Sequence, residues 1–259
     1  MTTLHAIILG IIEGLTEFLP ISSTGHMILV SYVLDITKTA TLVTFEIVVQ
    51  LGAILAVVVS YPKKLFNIDT IKKLIVAFIP TGIVGVLVYP YVGYLLTGPN
   101  SPTIVASMLI IGGVIILLVE RKYEKDTEEG KIIEISEISY KNACILGLYQ
   151  TLAIIPGVSR SGAMIVGGLL QRLSRKLLIE FTFLLAVPTM MIASLYTLLK
   201  KHNELSVDSI LPIIIGTMIS FVVALVVIRF ALAYIRKHSF KIFGWYRIII
   251  GVVLLFILL

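Results

Sequence analysis

The sequence predicts an all-α integral membrane protein built as an inverted-topology repeat, each half a re-entrant helix hairpin followed by three transmembrane helices. Three observations carry that prediction. Hydrophobic residues fill 58% of the 259 positions and charged ones only 14%, with a mean hydropathy of +1.05, far from a soluble domain. Apolar runs near the length of a bilayer crossing recur along the chain. Two further apolar stretches are each broken midway by proline, glycine and serine, and these two resemble each other.

Along the chain, the stretch 4–34 comes first. It has neither a basic leader nor a small-residue cleavage site, which argues against a removable signal peptide. Pro20 and the run Ser22-Ser23-Thr24-Gly25 interrupt it and leave two halves too short to cross alone. Such a break is tolerated at membrane depth only where the loop is buried in protein or lines a wet cavity, so 4–34 reads as a re-entrant hairpin. Spans at 41–60, 74–92 and 103–119 complete a first repeat, 1–120. The polar stretch 121–141 reads as a cytoplasmic connector. The second repeat, 142–259, opens with a hairpin at 142–170, interrupted by Pro156-Gly157 and by Ser159 to Gly162. Spans at 178–199, 210–229 and 244–259 complete it, and the two halves form one membrane domain.

The duplication rests on register. Residues 6–28 laid without gaps on 143–165 match at nine of twenty-three positions, including Gly10/Gly147, Ser22/Ser159 and Gly25/Gly162. Apolar segments match often by chance, so the glycines and serines carry the weight. An odd number of crossings per half inverts the second half relative to the first.

Charge is consistent with that layout, because cytoplasmic loops hold the excess Lys and Arg. Seventeen of the 21 basic residues fall on one face, among them Lys63, Lys64, Lys72, Lys73, Lys131, Arg175, Arg236, Lys241 and Arg247. The other face has only Lys38, Lys200 and Lys201, and Arg160 lies inside a hairpin. The basic face is then cytoplasmic, with both termini and the first hairpin opening to the outside. Because the net charge of +6 sits in short loops between apolar runs, it reads as topology and not as a nucleic-acid surface. Cys144 is the single cysteine, which excludes an internal disulfide and a cysteine-rich metal cluster.

Two polar loops meeting at the midplane of an inverted repeat make a binding site. Free N–H groups and positive helix ends near Thr24 and Ser161 favour an anion, phosphate above all. Arg160 adds a guanidinium fork for phosphate, or forms a structural ion pair with Glu13 or Glu17. Around it, Ser22, Thr24, Gly25, Gly157, Ser159, Ser161 and Gly162 are the candidate phosphate-binding positions. Glu13 and Glu17, four apart on one helix face, suit a hard divalent cation such as Mg²⁺ or Ca²⁺, or are simply solvated at a hairpin end. His26 is a candidate acid or base, and Ser22 or Ser23 a candidate nucleophile; as helix caps the hydroxyls have a second use. Glu46 and Gln50 line or support the same cavity or bond between helices. Arg247, beside Trp245 and Tyr246, reads as an interfacial anchor. Inverted repeats around an anion site are also transporter architecture, so a lipid-phosphate transporter or flippase is the competing reading.

The motifs "EGLTE" at 13–17, "SSTGH" at 22–26 and "PGVSRSGAM" at 156–164, with "FEIVVQLGAILAVVV" at 45–59, resemble those of undecaprenyl-pyrophosphate phosphatases of the BacA type over nearly the whole chain. The resemblance implies a cell-membrane enzyme that removes the terminal phosphate of C55 isoprenyl pyrophosphate, recycling the carrier for peptidoglycan synthesis and conferring bacitracin resistance. It also implies roles: Glu13 and Glu17 as the acidic pair associated with divalent metal, Ser23 and His26 for nucleophile or proton transfer, and Ser159, Arg160 and Ser161 as the pyrophosphate cradle. Met164 departs from the pattern, standing where the motif ends in threonine. Partners are the bilayer and this lipid, with no nucleic acid; a homodimer is left open as the assembly.

Overall fold

The computed structural model describes residues 1–37, 39–125, 132–201, 207–235 and 237–258. Lys38, Lys131 and Arg236 of the charge count, and part of the connector, lie outside the described residues. Among those described there are twelve α-helices and no strand, only an isolated bridge between Ile132 and Leu173.

The first apolar stretch folds as two short helices, α1 (Thr3–Thr16) and α2 (Ser23–Val33). Thr2 caps α1, accepting from the His5 N–H, and the chain leaves the helix through Glu17 to Ile21, where Pro20 offers no N–H to continue it. Next come α3 (Ala40–Val48) and α4 (Gln50–Ser60), which abut at Val49, whose φ of −60° and ψ of −24° keep them one continuous span. A short α5 (Pro62–Leu65) leads to α6 (Ile68–Thr97) and α7 (Ser101–Lys125). The second half comprises α8 (Tyr140–Thr151), α9 (Arg160–Leu170), α10 (Arg175–Lys201), α11 (Val207–Ile235) and α12 (Lys241–Leu258).

Six segments are long and apolar enough to cross a membrane: Thr41–Ser60, Ile68–Val88, Ser101–Glu124, Arg175–Lys200, Ile210–Ile235 and Lys241–Leu258. All six overlap the spans read from the sequence, but α6 begins earlier than residue 74. Its first turn is capped by Asn67, and Lys73, which looks in sequence like a loop residue, is buried and bonded to Asp69 and to the Ile135 and Ser136 carbonyls. That ammonium ties the connector to the helix instead of ending it.

Packing follows an exchange between halves. α1 lies on α11, α8 lies on α6, and α7 pairs with α12. Small residues set the approach: a Cβ on Gly10 would meet the Gly216 carbonyl at 2.6 Å, and one on Gly147, its match in the repeat, would run into the Ala77 carbonyl. α10 is the most enclosed span, and Phe181, Phe183, Leu184 and Leu185 place it in the main core. At one end, Arg175 grips the fully buried Glu120 through two nitrogens, Lys241 pairs with Glu124, and Lys64 pairs with Glu180. These pairs bind the C-terminal end of α7 to the starts of α10 and α12, and α5 to α10.

Candidate active site

The same local device begins α2 and α9. Ser22 and Ser159 both adopt left-handed backbone, φ +69° and +73°, and each side chain accepts the N–H of the glycine three residues on, Gly25 at 3.3 Å and Gly162 at 3.1 Å. Left-handed backbone is unfavourable for serine by about 1 kcal/mol or more, and the cap bond helps hold it. These caps use the third N–H of each helix and leave the first two, on Ser23 and Thr24 and on Arg160 and Ser161, for another acceptor.

The two helix starts face each other. Arg160 Nη2 donates to Glu17 Oε1 at 3.1 Å and Nη1 to the Thr182 carbonyl at 2.9 Å. Ser23 Oγ donates to the other Glu17 oxygen at 2.5 Å. Ser161 Oγ donates to the Leu19 carbonyl at 2.9 Å and lies 3.1 Å from Ser159 Oγ. The ion pair expected as the structural alternative for Arg160 is therefore present, with Glu17 as partner and both side chains at most 10% exposed. Arg160 Nε remains buried without a hydrogen-bond partner.

Glu17, Ser23, Ser159 and Arg160 of this polar cluster reach the wall of a cavity of about 400 Å³. Glu17, Ser22, Ser23, Thr24, Gly157, Ser159 and Arg160 line it together with Gln50, Thr81, Gln150, Thr189 and Thr197, and the rest of the wall is largely apolar, including Phe78, Val86, Ile155 and Ile192. Size and lining suit a ligand with a charged head and an apolar body.

Residues 6–253 match the family described as "Bacitracin resistance protein BacA". The chain belongs to the BacA family. It is 47% identical to the undecaprenyl-diphosphatase of Sulfurihydrogenibium sp. (strain YO3AOP1) over 97% of this chain and 98% of that one. To the undecaprenyl-diphosphatase of Wolinella succinogenes it is 48% identical over 100% of this chain and 99% of the other, and to that of Aquifex aeolicus 46% over 98% and 97%.

Not every residue singled out in this BacA-family chain reaches the cavity. Gly25 and Gly162 pack against neighbours, Gly25 against Val105 and Gly162 against Arg247. Glu13, Glu46, Thr24 and Gln50 bound a smaller cavity of about 80 Å³ alongside. Glu13 is buried one helical turn before Glu17, and its Oε1 has no hydrogen-bond partner. An orphaned buried carboxylate oxygen next to a second carboxylate fits a hard cation, the remaining ligands coming from water and phosphate. Among the described residues no group of three or more His, Cys, Asp or Glu stands together as a complete metal cage.

His26 points away from the main cavity: Nδ1 lies 2.8 Å from the Ser22 carbonyl and Nε2 2.8 Å from the Tyr246 hydroxyl, with the two rings stacked. The interfacial reading of Arg247 is corrected. Arg247 is fully buried, and its guanidinium donates to the carbonyls of Pro20, Gly157, Met108 and Leu109. It therefore leaves the count of cytoplasmic basic residues. The signal was in the sequence, a charge inside an apolar run and a Gly112-Gly113 pair in α7 to make room for it, but no local pattern links positions so far apart. Thr81 and Thr189 were missed for the same reason; Gln150, the repeat match of Glu13, donates to both.

Proposed function

We propose that the chain hydrolyses undecaprenyl pyrophosphate to undecaprenyl phosphate and inorganic phosphate, which returns the lipid carrier to cell-wall synthesis and confers bacitracin resistance. One observation carries the reading beyond family membership. A serine hydroxyl, a carboxylate and an arginine stand in one hydrogen-bonded line, Ser23 to Glu17 to Arg160, on the wall of a cavity that is otherwise largely apolar.

In this account the isoprenyl tail lies along the apolar wall and the diphosphate meets Arg160 and the free N–H groups of α2 and α9. Ser22, Thr24, Gly157, Ser159 and Ser161 shape that cradle. Ser23 Oγ attacks the terminal phosphorus and passes its proton to Glu17. The bond between that phosphorus and the bridging oxygen breaks, its electron pair leaving with undecaprenyl phosphate. Water then cleaves the serine phosphate. A divalent cation, Mg²⁺ or Ca²⁺, when held by Glu13 and Glu17 would neutralise charge on the phosphate oxygens. Both Glu17 oxygens are already engaged, so Glu13 offers the free donor. Glu46 and Gln50 support the acidic pair from α3 and α4. His26 holds the first loop from behind.

We further propose the inverted repeat, 1–120 against 142–259, with α1–α2 and α8–α9 as re-entrant hairpins. What supports it is the exchanged packing of α1 on α11 and α8 on α6, the glycines Gly10 and Gly147 at corresponding close approaches, and the paired left-handed serines. The ion pairs that collect at the α7, α10 and α12 ends support a cytoplasmic basic face in the cell membrane, which puts both termini and the cavity mouth outside. The test is direct: purified protein in detergent with undecaprenyl pyrophosphate and Mg²⁺ or Ca²⁺ should release inorganic phosphate. No release, alongside translocation of lipid phosphate in liposomes, would assign the site to transport.

A further inference from the structure

Both polar loops rest on one floor. Gly25, in the first turn of α2, and Gly157 of the second loop pack on Val105 of α7, and at Gly157 the φ of +91° and the Val105 carbonyl, which a Cβ would meet at 2.6 Å, leave no room for a side chain. Behind that floor lies Arg247 of α12. Its Nη1 donates to the Pro20 carbonyl at 3.2 Å and its Nη2 to the Gly157 carbonyl at 2.9 Å, so one guanidinium holds both loops. The remaining bonds go to the Met108 and Leu109 carbonyls, where α7 carries Gly112; a methyl there would collide with Nη2. Among the described residues no carboxylate pairs with it. A charge buried at such depth without an anion is expensive to keep, and four carbonyls from three segments are what it gains. The next residue back, Tyr246, holds His26, in the first turn of α2, through its hydroxyl.

We propose that Arg247 is a positioning residue for dephosphorylation: it fixes the first loop, with Ser23 and Glu17, against the second, with Arg160, so that attacking hydroxyl and phosphate cradle share one geometry. The proposal rests on the phosphatase reading above. Misplacing reacting groups by about 1 Å lowers turnover by roughly 10²-fold while contacts that bind the lipid persist. The loss therefore falls on kcat and not on KM.

The test uses full-length protein in detergent with farnesyl pyrophosphate and Mg²⁺, kinetic constants being referred to monodisperse, folded protein. Wild-type turnover tests the phosphatase reading; the ratio of variant to wild type tests Arg247. Arg247→Met should lower kcat about 100-fold with KM within about threefold. Arg247→Lys, able to reach fewer carbonyls, should recover about a tenth of wild-type kcat. Tyr246→Phe should lower kcat by less than Arg247→Met, since it frees only the first loop. Gly112→Ala, which only crowds the guanidinium, should reproduce the kcat loss and supplies the measurement if Arg247→Met does not fold. Wild-type kcat in Arg247→Met or Gly112→Ala, or a loss confined to KM, would overturn the proposal.

Discussion

Arg160 and Glu17, 143 positions apart in the chain, meet at 3.1 Å where the two polar loops face each other. Neither is more than 10% exposed, and Glu17 spends its second oxygen on Ser23. The ligand-free pocket therefore holds the Arg160 guanidinium on the same carboxylate that accepts from the Ser23 hydroxyl. In the proposed mechanism a diphosphate entering the cavity would compete for that guanidinium and free Glu17 to take a proton.

Arg160→Lys keeps the charge but loses the fork that reaches Glu17, Thr182 and a phosphate together. Phosphate release should fall by roughly 10²- to 10³-fold, the range for removing one preorganised donor. Steady-state release at saturating farnesyl pyrophosphate reads it, and wild-type turnover would remove Arg160 from the cradle.

Ser23→Ala removes the proposed attacker while leaving the Ser22 cap and the α2 start in place. Turnover should drop by about 10⁴-fold or more. Acid quench of wild type with terminally labelled substrate, followed by peptide mapping, should place phosphate on Ser23; a trapped phosphate elsewhere, or residual turnover near wild type, contradicts this role.

Glu13 presents the buried oxygen without a partner, so Glu13→Gln should weaken the cation more than the lipid. The Mg²⁺ or Ca²⁺ concentration for half-maximal activity should rise by about tenfold or more, with the lipid KM little changed. Chelation of wild type should abolish release, and re-addition of cation should restore it. Activity indifferent to chelator would remove the cation from the account.

Two glycines that look alike in sequence should behave oppositely. Gly147 lies against the Ala77 carbonyl of α6, so Gly147→Val should destabilise by about 1–3 kcal/mol through overpacking. Gly85, also apolar-flanked and helical, has nothing within 4 Å of a built Cβ. Gly85→Ala should leave the melting temperature equal or higher, since alanine loses less backbone entropy in a helix. Thermal unfolding in detergent compares them.

The sequence carried the broad fold because bilayer burial writes itself locally: each span is a continuous apolar run, and all six overlap the structure. Cap chemistry was legible at Ser22, and the structure repeats it at Ser159, each a serine three residues before a glycine at a helix start. Lys73 and Arg247 were not. Both are charges bonded to main-chain carbonyls of distant segments, Lys73 in addition to its local partner Asp69, and carbonyl positions leave no mark in residue identity. His26 illustrates the same limit. Its neighbours in sequence are hydroxyls, but its ring turns toward Tyr246, 220 positions away, and off the cavity.

If two loops from different halves make one pocket, a double-mutant cycle across them reads their coupling. Phosphate release by wild type, Ser23→Ala, Arg160→Met and the double variant should show each single change lowering kcat by more than about 10²-fold and the double variant little worse than Ser23→Ala alone. Wild-type turnover in either single variant, or losses that multiply in full as for independent sites, would contradict the shared pocket.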